Sequence, residues 1–291
     1  MVQKPGLCCK PGGFHIDPVR PVERAVITHG HSDHARAGHG AVLATQETLD
    51  IMRLRYGDNF AGATQAISYG EAIRLGDVTV TLHPAGHVLG SAQIAVTCKD
   101  TCVVASGDYK DAPDPTCAPF EVVPCDVFIT EATFGLPVFR HGDAADEVRK
   151  LLASVALFPE RAHLVGAYSL GKAQRVIALL RQAGYEAPIY LHGAMSRLCA
   201  LYDERGIALG DLRPVMEMSK AELMGQIESR HQGASQRQVC RWLRLRRSSA
   251  YERKTGKEPT SGVHTDASLL GLMKGVRQAH QAWGFRLIFA H

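Results

Sequence analysis

The sequence predicts a layered α/β protein with a basic appendage, and three observations predict it. Short strand-like runs punctuated by Gly and Pro fill Ile16 to about Val104. Strands and helices then alternate from Val127 to about Glu204, and the charge balance reverses near residue 229. A strand-rich stretch followed by strand–helix alternation indicates helices packed on sheets. With 291 residues, the chain suits two ordinary domains or one large one.

The elements follow in order. Ala25-Val26-Ile27-Thr28 is a short apolar run that suits a buried strand. Ala44 to Tyr56 has helical spacing, with Thr45 as N-cap. His39, just ahead, is expected on a helix face rather than as a ligand. Asp77 to Leu82 alternates polar and apolar residues with β-branched enrichment, a half-buried strand, and Ala92–Thr97 and Cys102–Val104 are similar. Val127-Phe128-Ile129-Thr130 is the strand that opens the second half. Asp143 to Leu157 reads as a helix with Val148, Leu151, Leu152 and Val155 on one side and acids in its first turn. Leu164–Ala167 and Pro188–Leu191 are strands, and Lys172–Ala183 and about Ala194 to Glu204 are helices. Ser235–Leu243 and Ser248–Lys254 read as two short helices, each opened by Ser. Their spacing is that of a helix-turn-helix with a dense basic face.

Composition excludes several classes. Hydrophobic residues at 45% and charged residues at 21% rule out wholesale disorder. No apolar run approaches the roughly 20 residues of a membrane span, and Met1 to Gly6 shows no secretory h-region. Eight irregularly placed cysteines suggest reduced thiols in the cytoplasm rather than a disulfide framework. Cys8-Cys9 and Cys98/Cys102 lack a matching second pair for a cysteine zinc site. The net charge of +4 conceals a split: residues 229–291 hold 12 Lys/Arg against 3 Asp/Glu, the other 228 residues 21 against 26. Such asymmetry suggests two segments with different partners.

The chemistry concentrates in Thr28-His29-Gly30-His31-Ser32-Asp33-His34, directly after a predicted strand. Four potential ligands within six residues are costly to place together for packing alone. Neutral imidazole and carboxylate suit a borderline-soft divalent ion, and a turn lets them converge. Gly86-His87-Val88-Leu89-Gly90 places another histidine in a Gly-bracketed loop, and Ser106-Gly107-Asp108 places a carboxylate just past a strand. Ile129-Thr130-Glu131 puts an acid at a strand end. Ser169-Leu170-Gly171-Lys172 opens a helix in a way suited to holding phosphate.

In that order and spacing, the histidine loop, Gly86-His87 and Gly107-Asp108 resemble the metallo-β-lactamase superfamily, whose fold is an αββα sandwich. The resemblance implies that His29, His31 and His87 hold one zinc, that Asp33 and His34 belong to a second, and that Asp108 bridges them. Asp33 would also orient the nucleophile or carry a proton. A cation pair lowers the pKa of a shared water and neutralises charge on an attacked phosphate. The Glu131 motif and the Ala167-to-Arg175 segment resemble the β-CASP nucleases, in which Glu131 would be catalytic and Ser169, Gly171 and Lys172 would contact phosphate. Phe14-His15-Ile16-Asp17-Pro18, Pro113 to Glu121 and Phe134 to Arg140 are similar to the bacterial DNA ligase-associated exonuclease group over about residues 6–227. That implies zinc-dependent DNA exonuclease activity in repair, with manganese as an alternative ion, RNA as an alternative substrate and an ATP-dependent DNA ligase as partner.

The chain departs from that group after residue 210. The family's histidines after Ser-Asp and within Thr-His-Gly have no counterparts there, and His231, His264, His280 and His291 lack those neighbours. The second metal site is therefore expected to be incomplete and turnover impaired. Ala234 to Leu243 and Arg247 to Tyr251 instead resemble the helix-turn-helix of insertion-sequence transposases. The expected organisation is a metallo-β-lactamase-like domain over 1–166, a truncated β-CASP segment over 167–228 and a basic helical tail over 229–291. Two rivals remain: a small-molecule metallo-hydrolase on the same motif, and a non-catalytic DNA-binding chimera using the tail.

Overall fold

The computed structural model describes residues 2–3, 5–136, 138–139, 142–159 and 161–214, and the backbone strand Arg286–Ala290. In chain order the elements are β1 (Val2–Gln3), β2 (Gly6–Cys9), β3 (Phe14–Ile16), β4 (Arg24–Val26), β5 (His39–Ala44), α1 (Gln46–Tyr56), β6 (Ala61–Ala66), β7 (Ala72–Leu75), β8 (Val78–Pro84), β9 (Ala92–Cys98), β10 (Thr101–Ala105) and β11 (Val127–Ile129). Then come α2 (Ala144–Leu157), β12 (His163–Ala167), α3 (Lys172–Gln182), β13 (Ile189–Leu191), α4 (Gly193–Glu204), β14 (Leu212–Pro214) and β15 (Arg286–Ala290). The protein is mixed α/β, as the strand–helix alternation predicts. The two short helices expected at 235–243 and 248–254 lie outside the described residues. Among those described, no helix is long and apolar enough to cross a membrane.

The chain divides into two compact units. The first comprises residues 1–144, 170–179 and 197–209. It contains a six-stranded sheet of order β1-β2-β3-β4-β5-β6 and a five-stranded sheet of order β11-β10-β9-β8-β7. Strands β3 to β6 pair in parallel, whereas β7 to β10 pair antiparallel and β11 joins β10 in parallel. Among the described residues, the second unit comprises 145–159, 161–169, 180–196, 210–214 and 286–290 and holds a sheet of order β12-β15-β13-β14.

Side-chain alternation explains how the first unit is cemented. Successive strand residues point to opposite faces. Val26 and Leu43 join an apolar cluster with Phe14 and Ile16 and, from the other sheet, Val78, Val80, Leu82, Ile94 and Ala105. Their neighbours Ala25, Ile27, Val42 and Ala44 face the opposite way, onto Leu49 and Met52 of α1 and onto Phe60. The parallel strands β4 and β5 are therefore buried on both faces.

Thr45 caps α1 as predicted, its hydroxyl accepting from Thr48 N at 3.3 Å and donating to Gly90 O at 2.7 Å. His39 departs from expectation. It opens strand β5 rather than lying on a helix, and its buried Nδ1 accepts from Val22 N at 3.2 Å. On α2, Val148 is buried and Leu151, Leu152 and Val155 are half-buried, so the predicted stripe marks the packed side.

Candidate metal centre

Four loops of the first unit converge because their strands deliver them to one end of the two sheets. Residues 27–38 follow the carboxyl end of β4, 85–91 join β8 to β9, and Asp108 and Glu131 follow β10 and β11. Carboxyl ends of parallel strands are where α/β folds gather their sites. Backbone bonds lock the loops together: Ala92 N donates to Thr28 O at 2.8 Å, Lys110 N to Ala85 O at 2.9 Å and Ser106 N to Ile129 O at 2.9 Å. Gly107 must be glycine here. Its φ is 57°, and a Cβ would stand 2.7 Å from the Thr28 side chain.

The result is a tight donor cluster of His29, His31, His87 and Asp108, with one ligand atom of each within 4.8 Å of the others. His31 Nδ1 lies 3.0 Å from His29 Nε2 and 3.2 Å from His87 Nε2. Asp108 Oδ2 lies 3.8 Å from His29 Nε2 and 3.7 Å from His87 Nε2. Donors about 2.0–2.1 Å from a tetrahedral zinc ion stand roughly 3.3 Å apart, so these spacings fit such an ion. The other carboxylate oxygen, Asp108 Oδ1, lies 3.3 Å from His34 Nε2, and Asp33 Oδ2 is 3.8 Å from that same nitrogen. One carboxylate thus faces two sets of donors.

Charge states separate the two sides. Burial pushes His29 well below the usual imidazole value, His31 below it and His87 down to about 4, so these three are neutral and ready to ligate. Burial also opposes charge on His34, but hydrogen bonds to Asp108 and Asp17 outweigh it and push this histidine up to about 10. The same His34 contact holds Asp108 below the usual carboxylate range.

Two residues that sequence reasoning missed orient the ligands. Asp17 accepts from Thr28 N at 2.8 Å through Oδ1 and from the Thr28 hydroxyl at 2.6 Å through Oδ2. His34 Nδ1 stands 2.8 Å from the same Oδ2, and Thr28 Oγ1 lies 3.0 Å from His29 Nδ1. Such partners fix ring orientation and tautomer. An acid directly after β3, in the stretch Phe14 to Pro18, was the available signal.

Helix α3 begins at the cluster. Leu170 O is 3.3 Å from His31 Nε2, and Gly171, with φ of 84°, lies so close that a Cβ would come within 2.4 Å of Val88 and 3.9 Å of His31 Nε2. Lys172 is exposed at the first turn. Glu131 lies close enough to His87 to favour its charged form, and its Oε2 accepts from Thr133 N at 2.6 Å.

No family model matches the chain. It is 32% identical over 147 residues to an uncharacterized protein in the lig 3′ region of Acidianus ambivalens, covering 48% of this chain and 99% of that protein. A ribonuclease of Thermus thermophilus is 28% identical over 223 residues, covering 65% of this chain and 50% of the relative. The chain belongs to the β-CASP branch of the metallo-β-lactamase superfamily. Within that family, a probable DNA ligase of Opitutus terrae is 29% identical over 223 residues, covering 74% of this chain. This chain spans only 21% of the Opitutus protein and 50% of the Thermus one.

Proposed function

We propose that this β-CASP protein is a zinc-dependent nuclease acting on DNA ends, and the observation that carries it is Asp108. Its Oδ2 faces His29 and His87 while its Oδ1 faces His34, the disposition of a carboxylate shared by two cations. Family membership implies divalent metal, and the donor set suits zinc. His29, His31, His87 and Asp108 would hold the first ion, and His34, Asp33 and Asp108 the second. When bound, a pair of such ions supplies an activated water and neutralises charge on an attacked phosphate.

The chain's own residues supply the rest. Neutral His29, His31 and His87 bind without first losing protons, whereas His34 must give one up. The start of α3 carries the positive end of the helix dipole, which favours phosphate, while Gly171 N donates to Gln174 Oε1 at 2.8 Å. Gly171 lets the helix start pack against Val88 beside the cluster, and Lys172 would add a cation. Glu131, after β11, would hold or move a proton. A small-molecule hydrolase would need no such phosphate-holding helix start. The first unit's two sheets sharing one core, with α1 outside, suit the αββα sandwich.

The Opitutus relative's name and the Acidianus relative's lig neighbourhood favour DNA and a ligase partner. The Thermus relative's name favours a second reading, RNA cleavage. End-labelled linear DNA and RNA of one sequence, incubated with zinc or manganese, separate the two. Slow cleavage of DNA, in keeping with an impaired second site, that His31→Ala and Asp108→Ala abolish is the expected result. Cleavage of RNA alone would move the substrate, and cleavage that survives both substitutions would overturn the site.

A further inference from the structure

The stretch 106–126 between β10 and β11 contains neither helix nor strand. Loops beyond about 12–15 residues without such elements are uncommon in compact domains and are usually functional. This one carries Asp108 near its start. Its position must come from side chains and isolated backbone bonds, because no ladder fixes it. Lys110 N donates to Ala85 O at 2.9 Å, and Glu121 N to Pro84 O at 3.2 Å. Gln93 Nε2 donates to Glu121 O at 2.7 Å.

Between those ties sits Asp114, whose side chain is only 3% exposed. Its Oδ1 accepts from Thr116 N at 3.0 Å and from the Thr116 hydroxyl at 2.6 Å. Its Oδ2 lies 3.2 Å from Lys110 Nζ and 3.0 Å from Arg175 Nε. The Arg175 contact is a charge contact rather than an aligned hydrogen bond. A carboxylate this buried needs such partners to offset its lost hydration. Arg175 belongs to α3, the helix whose start touches His31 through Leu170 O. Lys110 is two residues from Asp108, and its backbone is bonded to the loop of His87. Asp114 therefore joins three pieces of backbone that border the donor cluster.

We propose that Asp114 is a positioning residue of the metal centre. Clamped between Lys110 and Arg175, its carboxylate sets where the loop presents Asp108 to the histidines. The inference rests on the metal-centre reading above and adds a residue outside the ligand set.

Asp114→Asn is nearly isosteric, keeps an oxygen for the Thr116 bonds and removes the charge that holds Arg175. Two measurements on the full chain test it. In the metal-free protein, amide hydrogen exchange should accelerate across 107–120 while 27–35 stays protected. On titration with Co2+, affinity should fall 10–100-fold, the usual cost of losing a residue that orients a ligand, and the visible spectrum should change as Asp108 shifts. Arg175→Gln should reproduce both effects and Arg175→Lys should partly restore them, which keeps the test intact if Asp114→Asn fails to fold. A lowered melting temperature with unchanged exchange, affinity and spectrum would reduce Asp114 to a fold clamp and overturn the proposal alone. A wild-type chain that takes up no Co2+ would overturn the metal-centre reading and the proposal with it.

Discussion

Replacing Asp17 by Asn isolates what one half-buried carboxylate does for His34. Asp17 sits at φ 43°, a left-handed conformation that Asn also tolerates, so the backbone need not move. The amide oxygen can still accept from Thr28 N. The amide nitrogen, however, replaces the oxygen that faces both the Thr28 hydroxyl and His34 Nδ1. Hydrogen bonds to charged groups contribute about 1.5–3 kcal/mol each, so a loss of that order is expected at neutral pH. The sign of the pH dependence follows from His34. Its folded pKa is raised from 6.5 to about 10. Protonation therefore stabilises the metal-free fold fully below about pH 6.5, and that contribution disappears as pH rises through about 10. Urea melts of metal-free protein from pH 6 to pH 10.5 should show wild type and variant far apart at pH 7 and converging at the alkaline end. The variant should also bind metal about 10–100-fold more weakly, because His34 loses the partner that aims its Nε2. An equal gap at both ends, with equal metal affinity, would show that Asp17 only anchors Thr28 and would refute the account of His34.

Metal loading at pH 7 should release about one proton per chain, since His34 is the one cluster histidine held in its charged form; binding heats that do not vary with the buffer's ionisation enthalpy would contradict this. Glu131→Gln should leave metal content unchanged while lowering turnover about 10²–10⁴-fold, the range for a lost proton-transfer group; elemental analysis beside the cleavage assay checks both halves, and unimpaired turnover removes Glu131 from the chemistry. Gly171→Ala forces a Cβ to 2.4 Å from Val88 at a φ of 84° and should cost about 1–3 kcal/mol together with weaker nucleic-acid binding. Unchanged melting would mean that the start of α3 can shift away from the cluster.

Much of the candidate site was legible in the chain itself. His29, His31, Asp33 and His34 crowd one turn, and such a density of ligands has little structural use. Strands β8 and β9 were legible because each has one face polar enough to alternate, and α1 because Thr45 marks its start. Strand β5 was not: Gly40-Ala41-Val42-Leu43-Ala44 is apolar throughout, and a parallel strand buried on both faces shows no period to distinguish it from the start of a helix. The same lack of a period makes a helix face the expected place for His39. Strand β6, Ala-Gly-Ala-Thr-Gln-Ala, lacks both alternation and β-branched enrichment.

The sequence by itself determined which residues can ligate and which local elements carry them, because ligand chemistry and helical or strand periodicity depend on near neighbours. Tertiary structure alone decided that Asp108 turns one oxygen to His87 and the other to His34, that Asp17 reaches Thr28 and His34, and that Asp114 meets Arg175. Those contacts arise where strand ends and a helix start are brought side by side by sheet pairing along the whole first unit. No local pattern encodes that convergence. In the sequence Asp17 and Asp114 are two loop acids among many, and only burial against an imidazole or a guanidinium gives each its role.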